Sequence, residues 1–190
     1  MSYRSLKKSV LENGNFSIIP LRENDMESIR QWRNAQMNVL RQKSEITKES
    51  QQLYFKNVVT PLFSNDSPTQ LLFSFLQNNV LIGYGGLVNI SWQDKRAEMS
   101  FLVKPEIATA NSDYKKAMSE FISLIKKLVF DEMNFNRLFT ETYEFRDFHI
   151  SILLEHGFKE EGRKKEHIVE NGKFYDSILH SILKKDNAKS

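Results

Sequence analysis

The sequence predicts an α/β fold built on one mixed, mostly antiparallel sheet of about seven strands with about four helices. Three observations lead to this prediction: strand and helix patterns alternate, three strands form a meander, and the chain closes with a long hairpin. A length of 190 residues fits a single domain with a sizeable core. We expect this domain at residues 16–183, after a loose leader at residues 1–15 and before a basic tail at residues 184–190.

The first part of the chain is predicted to form one strand and two helices. Residues 16–21 fit the first strand. Asn24 and Glu27 have the spacing of a capping box, so a helix should begin there. A second helix fits residues 47–59, and Pro61 should end it because proline lacks the amide hydrogen that a helix needs.

The second part is predicted to supply the centre of the sheet and the longest helix. Residues 71–103 fit an antiparallel meander, with Asn78 and Asn79 in a turn because asparagine tolerates a positive φ. Apolar side chains at helical spacing predict a helix over residues 114–133. The remaining elements are a strand at 137–143, a helix at 147–156, and a hairpin at 158–183 that turns at Asn171 and Gly172.

Composition excludes several classes of protein. The chain has no cysteine, which rules out disulfides, thiolate metal sites and a cysteine nucleophile. A formal net charge of +3 without a dense basic block does not indicate nucleic-acid binding. No apolar run is long enough to span a membrane, so we expect a soluble cytoplasmic protein without membrane contact. The four histidines lack metal-ligand spacing, and we expect no metal.

The stretch around Glu98 is the most informative for function. Glu98 lies in a largely apolar strand that breaks at Lys104 and Pro105, and a loop then leads into the long helix at Tyr114. A loop that opens a helix presents backbone amides to a phosphate. A buried carboxylate nearby suits a base that removes a proton. The sequence therefore indicates a group-transfer enzyme whose donor carries phosphate.

The order of elements, the Glu98 strand and the step from Gly157 to Phe158 resemble the GNAT superfamily of acyl-CoA-dependent N-acyltransferases. Several segments are similar to the branch with ribosomal-protein N-terminal acetyltransferases and pseudaminic-acid-pathway enzymes that acetylate nucleotide-linked amino sugars. These segments are residues 30–34, Ile46, 52–55, 161–163 and 171–176. The resemblance implies a GNAT fold, acetyl-CoA as acyl donor, and direct attack by a primary amine.

The resemblance also implies catalytic roles. Glu98 would deprotonate the amine, directly or through water, with its pKa raised by an apolar site. Alternatively, Glu98 pairs with an arginine and only holds the sheet. Leu153 stands where the family often has a tyrosine that protonates the leaving thiolate, so Tyr143 and His149 are the candidates for that role or for holding the acceptor. Core packing of Tyr143 and a capping or surface position for His149 are the alternatives.

The donor is expected to contact the end of the Glu98 strand, the start of the long helix, and Arg146. The expected donor-binding residues are Phe101, Leu102, Val103, Asn111, Ser112, Asp113, Tyr114, Lys115 and Arg146. Backbone N–H groups near Leu102 and Val103 would polarise the acyl carbonyl. The loop before the helix lacks the glycines and arginine usual in the family, so helix amides and a lysine would bind phosphate.

The resemblance implies that the end of the first helix faces the acceptor; alternatively, Trp32 belongs to the core and Arg33 is solvated. The expected acceptor-binding residues are Trp32, Arg33, Asn34, Tyr84, Gly85 and Glu141. Glycines around Tyr84 either open space for the acceptor or form a simple bulge. We expect the acceptor to be a small-molecule amine, and the resemblance implies a nucleotide-linked amino sugar used in surface polysaccharide synthesis. A homodimer is one assembly that we expect the chain could form. The alternatives are a protein N-terminus, another small amine, or a GNAT-fold binding module that has lost its donor site.

Overall fold

The computed structural model describes residues 1–187. These residues fold around one eight-stranded sheet with the strand order β1-β2-β3-β4-β5-β6-β8-β7. The strands are β1 (Leu11–Asn13), β2 (Phe16–Pro20), β3 (Leu71–Gln77), β4 (Val80–Ser91), β5 (Arg96–Val103), β6 (Arg137–Tyr143), β7 (Lys159–Glu170) and β8 (Lys173–Leu183). Neighbouring strands are antiparallel, except that β5 and β6 are parallel. The predicted mixed, mostly antiparallel α/β sheet is confirmed.

Helices cover both faces of this sheet. They are α1 (Met26–Ala35), α2 (Lys48–Tyr54), α3 (Thr60–Ser64), α4 (Pro105–Ala108), α5 (Asn111–Lys126), α6 (Asp147–Glu155) and α7 (Lys184–Asn187). On one side, here called the α1 face, Ile29 belongs to the same apolar cluster as Leu72 and Leu102. On the other side, here called the α5 face, Phe121 and Ile152 belong to the larger cluster. None of the helices described here has the length and apolar character of a membrane span.

The strands β5 and β6 diverge in the middle of the sheet. Their pairing is confined to Arg96–Glu98 opposite Arg137–Phe139, although β5 continues to Val103 and β6 to Tyr143. Beyond Glu98 the backbone edge of β5 that faces β6 therefore has no strand partner. This gap positions the candidate site.

The expected loose leader is packed against the domain. Residues 11–13 form β1 on the edge of the sheet, and Tyr3 is only 1% exposed. The Tyr3 hydroxyl accepts a hydrogen bond from the Leu72 amide at 2.9 Å and lies 2.7 Å from the Leu72 carbonyl oxygen. The leader was predicted wrongly because these contacts join residues far apart in the sequence.

The ends of the first two helices also differ from the prediction. Asn24 lies in a 3-10 turn, and Glu27 pairs with Arg30 at 2.7 Å instead of closing a capping box. Pro61 does not end its helix, because α2 passes through a π-helical turn into α3, where Pro61 occupies the first turn. The missing proline amide is harmless at that position.

The predicted turns and the later elements are confirmed. Asn78 and Asn79 have φ values of 50° and 64°, and Asn171 and Gly172 have values of 50° and 75°. These positive angles match the two-residue hairpin turns that the sequence indicated. Of the expected basic tail, residues 184–187 form α7, and residues 188–190 lie outside the described part of the chain.

Candidate active site

A cleft of about 590 Å³ opens where β5 and β6 diverge. Residues 39–41, which follow α1, form part of its wall on the α1 face. Its charged and titratable lining residues are Arg33, Arg41, Glu98, Glu141, Arg146 and His149. A concave site with a few converging polar groups is the usual form of a small-molecule site. Five of these six residues were expected at the site, and Arg41 was not.

Glu98 is 6% exposed and fully hydrogen-bonded. Its Oε1 accepts from the Arg41 guanidinium at 2.6 Å, and its Oε2 accepts from Asn89 Nδ2 at 2.6 Å. Asn89 has a φ of 48° and lies where the pairing of β4 with β5 is interrupted, so a bulge accompanies its contact with Glu98. The expected apolar surroundings of Glu98 are therefore wrong, because charged and amide donors reach both of its oxygens.

Glu141 is the second carboxylate of the cleft. Its Oε2 accepts from Lys164 at 2.7 Å and from Arg41 at 3.2 Å, and its Oε1 accepts from the Ser177 hydroxyl at 2.5 Å. Burial by itself would raise the pKa of Glu141, but the hydrogen bonds from Lys164 and Ser177 and the charge of Arg41 lower it below its ordinary value. Glu141 is therefore ionised at neutral pH.

Arg41 joins the two carboxylates across the mouth of the cleft. One guanidinium nitrogen contacts Glu98 at 2.6 Å and Glu141 at 3.2 Å, while the side chain stays 54% exposed. Sequence reasoning missed Arg41 because it lies in an irregular segment where no periodicity fixes the direction of a side chain. The sequence does contain a weak indication of the bulge at Asn89, because asparagine is enriched at positive φ.

His149 belongs to a second polar cluster with Tyr114 and Arg146. The His149 Nδ1 atom lies 2.6 Å from the Tyr114 hydroxyl and 3.2 Å from the Arg146 guanidinium. Arg146 also donates to the Tyr114 hydroxyl at 3.0 Å. Burial, together with the charge of Arg146, lowers the pKa of His149 well below its ordinary value. The imidazole is therefore neutral at pH 7, and a role of His149 as the acid that protonates the thiolate stays a prediction.

Tyr143 and Leu153 are the other two positions connected with protonation of the thiolate. Tyr143 is 7% exposed and does not line the cleft, and its hydroxyl is 3.4 Å from the Leu40 carbonyl oxygen. Leu153 is fully buried in the larger apolar cluster. A catalytic role of Tyr143 stays a prediction.

The open edge of β5 is formed by Phe101 and Val103. The carbonyl oxygens of Ser100 and Leu102 lie against Gly85 and Gly83 of β4, so those two residues direct their backbone groups away from the gap. Because direction alternates along a strand, the backbone groups of Phe101 and Val103 face the gap. Leu102 therefore does not present an amide there, and its side chain packs on the α1 face.

The first turn of α5 has some of the features expected of a phosphate-binding site. Ala110 precedes α5 without a side-chain cap, and Asn111, Ser112 and Asp113 are exposed. Lys115 is already paired with Glu155 at 2.8 Å. Arg146 lines the cleft and has no carboxylate within salt-bridge distance among residues 1–187. Arg146 is thus better placed than Lys115 to meet an anion.

Three expected acceptor residues serve the scaffold instead. Asn34 holds the backbone of Ile46 through hydrogen bonds of 2.9 Å and 3.0 Å. Trp32 is half-buried against the apolar cluster of the α1 face and does not line the cleft. A Cβ at Gly85 would lie 2.1 Å from the Ser100 oxygen and 2.8 Å from the Phe121 ring. The absence of a side chain at Gly85 therefore allows β4, β5 and α5 to pack closely together. No space for an acceptor remains at this position.

Arg33 and Tyr84 do face open space. The Arg33 guanidinium donates to the Tyr84 hydroxyl and, through Nε, to Gln42 Oε1 at 3.0 Å. Arg33 lines the cleft and also a neighbouring cavity that includes Tyr84. Among residues 1–187, no group of three His, Cys, Asp or Glu side chains is placed to hold a metal ion.

A carboxylate pair beside an unpaired strand edge defines a site that can bring an amine to an acyl donor. The family comparison agrees: residues 18–179 match the model described as an acetyltransferase (GNAT) domain. The chain therefore belongs to the GNAT family and is an N-acetyltransferase that uses acetyl-CoA. The comparison with curated proteins found no match.

Solved structures share the fold at low sequence identity. The spermidine N-acetyltransferase of Vibrio cholerae in complex with CoA and spermine is 18% identical, with a TM-score of 0.76 over 93% of this chain and 99% of that chain. The dodecameric form of that enzyme is 20% identical, with a TM-score of 0.73 over 91% and 96% of the two chains. These neighbours do not support the narrower resemblance to the ribosomal-protein and pseudaminic-acid branch.

Proposed function

We propose that this enzyme transfers the acetyl group of acetyl-CoA to the primary amine of a small molecule, held as an ammonium ion between Glu98 and Glu141. The observation that carries the proposal is the position of Arg41, whose cationic group lies 2.6 Å and 3.2 Å from the two carboxylates. A site that holds one cation at these distances suits another. The spermidine enzymes with the same fold also act on a small amine, which supports a simple small amine as the acceptor over a nucleotide-linked amino sugar.

The residues of the cleft fit the donor. When bound, acetyl-CoA supplies the thioester whose acetyl group is transferred. Phe101 and Val103 present backbone N–H groups to the gap, where they can donate hydrogen bonds to an acyl carbonyl. The uncapped start of α5 and the guanidinium of Arg146 suit the phosphates.

Glu98 is the residue that we expect to accept the proton of the amine. A primary ammonium must lose a proton before its nitrogen can attack a carbonyl carbon. The Asn89 amide fixes Glu98 Oε2, while Arg41 reaches Oε1 from the exposed side. Displacement of Arg41 toward solvent would free Oε1 for the ammonium and leave the orientation of the carboxylate unchanged. Glu141 would hold the same ammonium without taking its proton.

The proposal is tested by measuring release of the CoA thiol with ethylamine as acceptor and with ethanol as the uncharged control. The mass of the product is measured by mass spectrometry. We expect a mass gain of one acetyl group on the amine and no transfer to ethanol. Glu141→Gln should raise the KM for ethylamine about tenfold or more, because a charge-assisted contact is lost, with little change in the KM for acetyl-CoA. Equal thiol release with and without amine would contradict the proposal.

A further inference from the structure

A second cavity of about 370 Å³ lies next to the cleft, between the sheet and the helices α1 and α2. The cleft and this inner cavity share Arg33, Gln70, Val88 and Ser100 as lining residues. Ser100 follows Glu98 by two residues on the same face of β5, so the inner cavity begins about 7 Å along the strand from Glu98. An acceptor whose amine is at Glu98 can therefore extend into this space.

The inner cavity is largely apolar. Its apolar lining residues are Leu21, Met26, Ile29, Ile46, Leu72 and Val88. Two of its polar groups already bond within the protein, since Gln51 donates to the Met26 carbonyl at 3.3 Å and Tyr54 donates to Gln70 at 3.3 Å. No acidic residue of the described chain lines the cavity. A second ammonium group would find no counter-charge there.

Arg33 adds a positive charge at the junction of the two spaces. Its guanidinium bonds to the neutral groups of Gln42 and Tyr84, and no carboxylate of residues 1–187 lies within salt-bridge distance of it. A cation entering the inner cavity would pass an uncompensated positive charge, and like charges at short distance oppose binding.

We infer that the acceptor is a primary monoamine whose aryl or alkyl body fills the inner cavity while its single ammonium lies between Glu98 and Glu141. This inference rests on the proposed function and narrows its substrate class. It separates the acceptor of this enzyme from spermidine and spermine, which carry further ammonium groups. Arg33 is then a specificity-determining residue that disfavours polyamines.

The first test compares 2-phenylethylamine, ethylamine and spermidine as acceptors. We expect kcat/KM to be at least about tenfold higher for 2-phenylethylamine than for ethylamine, because burial of the ring adds binding energy. Spermidine should be the poorest of the three. Equal values for the two monoamines, or a preference for spermidine, would overturn the inference and leave the proposed function standing.

The second test reduces the volume of the inner cavity by substitution. Ile46→Trp should raise the KM for 2-phenylethylamine about tenfold and so lower the preference of the enzyme for 2-phenylethylamine over ethylamine. Leu53→Trp is the control, because Leu53 is on α2, is 57% exposed and does not line the cavity. Arg33→Leu should raise kcat/KM for spermidine about tenfold by removing the repulsion. An unchanged value would overturn the role of Arg33.

A binding measurement keeps the inference testable without turnover. 2-Phenylethylamine should raise the melting temperature of the wild type and of Leu53→Trp, but not of Ile46→Trp. If no amine is acetylated but this pattern appears, the cavity assignment stands and the proposed function fails. If 2-phenylethylamine stabilises all three proteins equally or none of them, the inference is overturned.

Discussion

Glu98 and Glu141 share the guanidinium of Arg41, and this shared contact explains how two carboxylates coexist in one cleft. The cation offsets the repulsion between the two negative charges. The position of Glu98 in the cleft could be predicted from its place in an apolar strand before a loop and a helix. The contact of Glu98 with Arg41 could not be predicted, because the path of residues 36–47 depends on contacts such as that of Asn34 with Ile46.

His149 gives a prediction for the dependence of stability on pH. Its folded-state pKa lies well below the value near 6.5 of an unfolded histidine, because burial and Arg146 disfavour the charged form. As the pH falls below about 6.5, the unfolded chain gains a proton that the folded chain refuses, so stability falls. Melting curves between pH 8 and 5 should show that the melting temperature of the wild type falls more steeply with falling pH than that of His149→Asn. Parallel pH profiles of the two proteins would contradict this account.

The segment between α1 and α2 is the element that brings Arg41 to the site. Asn34 holds its far end through both backbone groups of Ile46, and Gln42 donates to Asn34 Oδ1 at 2.8 Å. The capping box before α1 and the stop at Pro61 after α2 were predicted wrongly, because a 3-10 turn and a π-helical turn replace regular α-helix at those two places. Such irregular turns depend on packing more than on local sequence.

Releasing this segment should weaken acceptor binding. Asn34→Ala removes three hydrogen bonds and should cost about 1–2 kcal/mol of unfolding free energy. The KM for the amine should rise, while the KM for acetyl-CoA should stay within about twofold, because the proposed donor contacts are on β5 and α5. Urea unfolding and steady-state kinetics check both parts, with the exposed Asn24→Ala as control. A rise confined to the KM for acetyl-CoA would be inconsistent with this role.

At the scale of the whole molecule, one sheet with helices on both faces supports the divergence of β5 and β6. The meander and the last hairpin could be predicted because asparagine turns act locally, as at Asn78 and Asn171. The edge strand β1 and the packing of Tyr3 could not, because both depend on distant residues. The gap itself follows from the pairing register, which no local pattern encodes.

Tyr3 provides a test of the packed leader. Tyr3→Phe keeps the ring but leaves the buried amide of Leu72 without its hydroxyl partner. Such a loss costs about 1–3 kcal/mol of unfolding free energy. Urea denaturation should show this loss for Tyr3→Phe and a much smaller one for the control Tyr175→Phe, whose ring is half-buried on β8. Equal stability of Tyr3→Phe and the wild type would show that the Tyr3 hydroxyl does not stabilise the domain.

The measurement that tests the central claim most directly is the steady-state rate of Glu98→Gln with acetyl-CoA and a saturating primary amine. Glutamine keeps the shape of the side chain but cannot accept a proton, so kcat should fall by about a hundredfold or more. Glu12→Gln is the matched control, because Glu12 is an exposed residue of β1 and should retain the wild-type rate. A folded Glu98→Gln with the kcat of the wild type would contradict the assignment of Glu98 as the base.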